Sequence, residues 1–183
     1  MAKLADAPDL GSGGEILRGS SPLPGINPAM KHPHMEIERK FLIEELPRRL
    51  TRYPHKEIAQ GYLSIGRNKS HVRLRRAGRA CTLTYKRGPA RAREEREIHL
   101  TPVQFDILWP ATAGSRLTKT RYYVPYKKLT IEIDIYRGSN QGLMVAEVEF
   151  PDVATYHSFR PPDWLGDEVT GASRYSNVKL ARD

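Results

Sequence analysis

The sequence predicts a mainly β, α+β domain of antiparallel strands carrying a few flanking helices. Three observations carry that reading. From Met35 onward the chain breaks into short alternating segments separated by Gly, Pro, Asn or Ser, the pattern of half-buried strands joined by turns. Only two stretches have helical signals. The polar faces of the strands carry charges that come in like-sign pairs rather than mixed.

Residues 1–34 precede this pattern and are set apart from it. They hold five Gly, five Pro and three Ser with no helical or alternating period, and read as a disordered leader outside the domain at 35–183. Lys3, Arg18 and Lys31 cancel Asp6, Asp9 and Glu15, so the formal charge of +9 belongs to residues 35–183.

Eight segments follow, at 35–43, 57–65, 70–76, 80–87, 94–100, 116–125, 129–136 and 143–150, with turns expected at Gly66-Arg67-Asn68, Ala77-Gly78 and Arg137-Gly138-Ser139-Asn140. Residues i and i+2 of a strand share a face. The first segment therefore sets Glu36, Glu38 and Lys40 against Met35, Ile37, Phe41 and Ile43. The third sets Arg73 and Arg75 against Val72 and Leu74. Thr82, Thr84 and Lys86 oppose Cys81, Leu83 and Tyr85, which makes the single cysteine a core residue without a disulfide partner. Glu95 and Glu97 share a face in the fifth segment, Lys119 and Arg121 in the sixth, Glu132 and Asp134 in the seventh, Glu147 and Glu149 in the eighth. Between the fifth and sixth, Thr101-Pro102 reads as an N-cap with proline in the first turn, opening a helix through Val103, Phe105, Ile107 and Leu108 that Pro110 should end. Asp152 opens a second helix through Tyr156 and Phe159, stopped by Pro161-Pro162.

Taken singly, each strand could be an ordinary one with a solvated polar face. Taken together, like charges two residues apart on six strands, with Lys86 alone on a seventh, would repel on an open surface. If the sheet closes with these faces inward, eight carboxylates and six cations converge. Carboxylate oxygens in that number suit Mg²⁺, Mn²⁺ or Ca²⁺, and convergent Lys and Arg suit phosphate oxygens. A basic protein could instead bind nucleic acid through clusters such as Arg73, Arg75, Arg76 and Arg79, but carboxylates on the same faces would repel a phosphate backbone, so nucleic acid is disfavoured. No apolar run approaches the roughly 18 residues a membrane span needs, and the start lacks the apolar core of a secretory signal, so a cytoplasmic location with no membrane partner is expected.

Glu36-Ile37-Glu38-Arg39-Lys40 forms an E-x-E-x-K motif that resembles the signature of the CYTH superfamily, the triphosphate tunnel metalloenzymes. The likeness continues in order through Gln60-Gly61-Tyr62-Leu63, Arg73-Leu74-Arg75, Thr82-Leu83-Thr84-Tyr85-Lys86, Lys119-Thr120-Arg121-Tyr122, Glu132-Ile133-Asp134, Val145-Ala146-Glu147-Val148-Glu149-Phe150 and Asp167-Glu168-Val169-Thr170, and is similar to the short bacterial members. The resemblance implies an eight-stranded antiparallel tunnel, closed around and open at both ends. It implies divalent-metal-dependent hydrolysis of a triphosphate, inorganic tripolyphosphate first, with adenylyl cyclase or nucleoside or thiamine triphosphatase chemistry as alternatives on the same fold. Glu36, Glu38, Asp134, Glu147 and Glu149 would hold Mg²⁺ or Mn²⁺. Lys40, Arg73, Arg75, Lys86, Lys119 and Arg121 would hold the triphosphate, and Glu36, Glu38, Lys40 and Lys119 would be the catalytic set. Glu95, Glu97 and Glu132 would be further ligands or salt-bridge partners, and Tyr62 a supporting hydrogen-bond donor. Near the C-terminus the family's Tyr-Lys-Asn reads Tyr175-Ser176-Asn177, which removes a lysine from that end. A homodimer is compatible with this reading.

Overall fold

A computed structural model describes residues 37–67, 70–88 and 94–182 of the chain. The expected leader, its boundary at residue 34, the carboxylate of Glu36, Asn68 of the first expected turn and the loop at 89–93 lie outside the described residues. All eight expected strands form: β1 (Ile37–Leu42), β2 (His55–Ile65), β3 (His71–Ala77), β4 (Ala80–Arg87), β5 (Glu94–Leu100), β6 (Arg116–Tyr126), β7 (Leu129–Tyr136) and β8 (Met144–Phe150). They make one antiparallel sheet in the order β1-β8-β7-β6-β2-β3-β4-β5.

Both expected helices are present and start where their caps predict. α1 (Pro102–Leu108) carries a complete capping box, Thr101 Oγ1 accepting from the Gln104 N–H while the Gln104 side chain accepts from the Thr101 N–H. Pro110 does not stop the chain there; it sits inside a 3₁₀ turn, Trp109–Thr112, that extends the helix. α2 (Val153–Ser158) is capped by the Asp152 carboxylate. A third helix unforeseen in the sequence, α3 (Asn177–Leu180), is capped by Ser176, whose hydroxyl accepts from the Lys179 N–H.

The outward strand faces bury the apolar residues. Phe41, Ile131, Ile133, Ala146, Val148 and Phe150 pack with Phe159 and Leu165 under α2 and the segment after it, while Leu74, Cys81 and Phe105 form a second cluster under α1. Cys81 is buried, as its place opposite Thr82 requires.

The ring is not completed by pairing between β1 and β5 among the described strands. The reason is visible along β1, whose outer edge is already occupied. The Leu42 N–H donates to Asp167 O at 2.9 Å, Gly166 N–H to Leu42 O at 2.9 Å and Val169 N–H to Lys40 O at 2.8 Å. A short extended stretch at 166–169 thus satisfies the backbone groups that an edge strand leaves unpaired. The Arg39 guanidinium locks it in place on Glu168 at 2.6 Å.

Candidate active site

The ladders bring the charged faces to one side of the sheet. Directly opposed pairs include Lys86 with Glu95 and Thr84 with Glu97 across β4 and β5, Arg121 with Asp134 across β6 and β7, Glu132 with Glu147 across β7 and β8, and Lys40 with Glu147 and Glu38 with Glu149 across β1 and β8. The sheet curls until side chains from all eight strands line one cavity of about 350 Å³. Its wall includes Glu38 and Lys40 of β1, Tyr62 of β2, Arg73 and Arg75 of β3, Lys86 of β4, Glu95 and Glu97 of β5, Arg121 of β6, Glu132 of β7, and Glu147 and Glu149 of β8. Twelve of the fifteen expected site residues therefore share one surface.

The other three are Glu36, which is outside the described residues, and Lys119 and Asp134, which share the faces of Arg121 and Glu132 but are fully buried. Lys119 and Asp134 meet at 2.5 Å. Asp134 also takes two hydrogen bonds of 2.6 Å from the Arg121 guanidinium, so both of its oxygens are committed to cations. Arg121 in turn pairs with Glu147 at 2.6 Å and with Glu132. This is a buried network in which Asp134 and Lys119 fix the pose of an arginine that does reach the cavity.

Lys40, Lys86 and Arg73 of the wall also have carboxylate partners. Lys40 meets Glu147 at 2.8 Å and Lys86 meets Glu95 at 2.8 Å. The Arg73 guanidinium donates to Thr84 Oγ1 at 3.2 Å and lies 3.8 Å from Glu97, which itself accepts from Thr84 at 2.7 Å. Of the two roles open to Glu95 and Glu97, the salt-bridge role is the one the geometry displays.

These contacts set the charge states. Burial raises the Glu147 pKa, but Lys40, Arg121 and Lys119 together outweigh it and hold the carboxyl well below its usual range. Burial likewise opposes the charge on Lys40, and Glu147, helped by Glu38 and Asp134, overcomes it and raises the pKa. Lys119 goes the other way: burial, with Arg121 adding to it, lowers its pKa to about 8 despite Asp134. Burial and the charge of Arg75 bring Arg73 down to about 10, still cationic at neutral pH. Tyr62 is pushed up to about 12, chiefly by burial. Glu132 is raised, first by burial and then by Glu147 and Asp134 against the pull of Arg121.

The donor set fits a hard divalent cation. It consists of carboxylate oxygens, and Glu38 stands directly opposite Glu149 in the β1–β8 ladder, an arrangement that repels unless a positive charge lies close by. Asp134 accepts from Lys119 and Arg121 on both of its oxygens. No group of three or more His, Cys, Asp or Glu side chains is preassembled as a metal cage among the described residues.

Two further contributors lie outside the expected set of site residues. Ser176, Asn177 and Val178 line the cavity, and Asn177 Oδ1 accepts from Lys119 Nζ at 3.2 Å and from the Tyr136 hydroxyl at 2.7 Å. Beyond them Leu180 and Ala181 pack with Tyr62, Leu117, Tyr136 and Val145. The C-terminal segment therefore packs against the sheet beside the cavity. The other contributor is Gln60, fully buried, whose amide donates to the Tyr62 hydroxyl at 2.7 Å. Neither carries a charge, and face analysis by charge could not find them.

No protein-family model matches the chain. It is 41% identical over 149 residues to an inorganic triphosphatase of Nitrosomonas europaea, covering 80% of this chain and 96% of that protein. It is 34% identical over 157 residues to an inorganic triphosphatase of Acetivibrio thermocellus, covering 81% and 94%. Among solved structures, a crystal structure of an inorganic triphosphatase aligns with a TM-score of 0.65 at 37% identity, covering 83% of this chain and 97% of that one.

Proposed function

Because the chain belongs to the triphosphate tunnel family of CYTH proteins, of the inorganic triphosphatase type, we propose that it is a divalent-cation-dependent hydrolase that splits inorganic tripolyphosphate into pyrophosphate and phosphate. One observation carries the reading: a single cavity in which Lys40, Arg73, Arg75, Lys86 and Arg121 face carboxylates contributed by β1, β5, β7 and β8. Among the described residues, the only aromatic rings on that wall are Tyr62 and His71, packed edge to face on each other at 5.3 Å, which supports an inorganic substrate over one with a base to stack.

In this mechanism the phosphate oxygens compete with Glu95, Glu97 and Glu147 for the wall cations. Lys86, Arg73 and Lys40 then exchange one anionic partner for another, so substrate charge enters without leaving any cation bare. Arg121, held by Asp134 and backed by Lys119, keeps its pose during the exchange and offsets charge as it develops in the transition state. Glu36, Glu38 and Glu149 would hold Mg²⁺ or Mn²⁺, which supplies charge neutralisation and a more acidic water. Water attacks the terminal phosphorus in line with the leaving pyrophosphate, the P–O bond to pyrophosphate breaks as the bond to water forms, and no nucleophilic side chain is required. Cys81 is buried outside the cavity.

Incubation of the protein with Mg²⁺ or Mn²⁺ and tripolyphosphate, ATP or thiamine triphosphate tests the proposal. Equal amounts of phosphate and pyrophosphate from tripolyphosphate are expected, with loss on chelation and loss in Glu38→Ala. Cyclic AMP with pyrophosphate from ATP would overturn it. No helix among the described residues is long and apolar enough to cross a membrane. A cytoplasmic location and a homodimer complete the proposal, the second being checked by light scattering.

A further inference from the structure

Gln60 takes no part in the mechanism above, yet it is fully buried on the face of β2 that the cavity uses. It shares that face with Tyr62, two residues on. Its Nε2 donates to the Tyr62 oxygen at 2.7 Å. A phenol oxygen that accepts from the amide must direct its own proton elsewhere, and Tyr62 lines the cavity. The amide thus decides the direction of the Tyr62 O–H.

A second observation concerns the wall around this pair. Among the described residues, the buried side-chain polar atoms without a hydrogen-bond partner are Gln60 Oε1, Arg73 Nε, Arg75 Nε and Thr82 Oγ1. All four belong to one patch. Gln60 stands opposite Arg75 and Tyr62 opposite Arg73 across β2 and β3, and Arg75 stands opposite Thr82 across β3 and β4. Buried polar groups are normally paired, so their concentration here marks a wall shaped for a polar occupant.

We propose that Gln60 is a positioning residue that holds the Tyr62 hydroxyl as a hydrogen-bond donor to a phosphate oxygen of the bound triphosphate; the proposal rests on the triphosphatase reading. A carboxylate in place of the amide accepts only, and would draw the Tyr62 proton toward itself. An aliphatic side chain would let the hydroxyl turn freely.

The test is a double-mutant cycle on the full chain with Mg²⁺ and tripolyphosphate, comparing wild type, Gln60→Glu, Tyr62→Phe and the double variant, with Gln60→Leu in a second cycle. Either Gln60 variant is expected to lower kcat on the order of tenfold, as loss of one hydrogen bond to a charged oxygen implies. KM should stay within about threefold, since five wall cations still hold the substrate. Each double variant should be no slower than Tyr62→Phe alone, because both changes remove the same hydrogen bond. Losses that multiply, a loss confined to KM, or a wild-type kcat in Gln60→Glu overturns the proposal. If Gln60→Glu does not fold, the Gln60→Leu cycle decides by the same criteria. Failure of the wild type to release phosphate removes the triphosphatase reading and this proposal together, and is told apart by occurring before any substitution.

Discussion

Lys119 shows how far a residue's place in the fold can depart from its chemical type. Two positions before Arg121 on β6, it reads as one of a pair of substrate cations. It is fully buried there, against Asp134 at 2.5 Å and the cavity-lining Asn177 at 3.2 Å. Its folded pKa of about 8 lies below the ordinary 10.5. Between those values the unfolded chain keeps the proton that the folded chain has released, so this group makes stability rise with pH across that window. Unfolding midpoints measured from pH 7 to 10.5 should therefore climb more steeply in the wild type than in Lys119→Met; parallel profiles would refute it. The Ser176 departure has a comparable outcome. Where the family carries a lysine, the serine caps α3 and so sets the turn that presents Asn177 to Lys119 and Tyr136.

At the scale of an element, β2 is the strand on which the site depends most closely. It contributes Tyr62 and Gln60 from one face and carries Gly61 between them, where a Cβ would come 2.6 Å from Thr112. Thr112 is not a yielding neighbour: its hydroxyl donates to Trp109 O at 2.8 Å and accepts from Arg116 Nε at 2.8 Å. Gly61→Ala should thus push β2 away from the 3₁₀ turn, with a loss of about 1–3 kcal/mol in stability and a fall in kcat through the displaced Tyr62. Denaturant unfolding together with steady-state rates checks both. The β1 edge carries a related lesson. Alternation identified β1 and its inward charges, but the stretch at 166–169 that satisfies its free edge has no strand signature, because it pairs over only a few residues.

For the whole molecule, the curl of the sheet turns eight ordinary polar faces into one cavity. The residues lining that cavity run from Glu38 to Val178, and its apolar backing is supplied by residues between Ile37 and Ala181. Residues 1–34 are accordingly expected to be dispensable. A chain starting at Met35 should retain both the unfolding midpoint and tripolyphosphate hydrolysis of the full chain, and loss of either would assign the leader a role.

Strand number, strand faces, both capped helices and the charged lining were legible in the sequence, because period-two alternation and capping are local properties that neighbouring residues express by themselves. Which charges meet which was not. The commitment of Asp134 to Lys119 and Arg121, the packing of Leu180 against Tyr62 and the coupling of Gln60 to Tyr62 arise from register, burial and contacts, some between residues far apart in the chain. Only the folded sheet decides those, since desolvation and pairing depend on what the rest of the chain places beside each group.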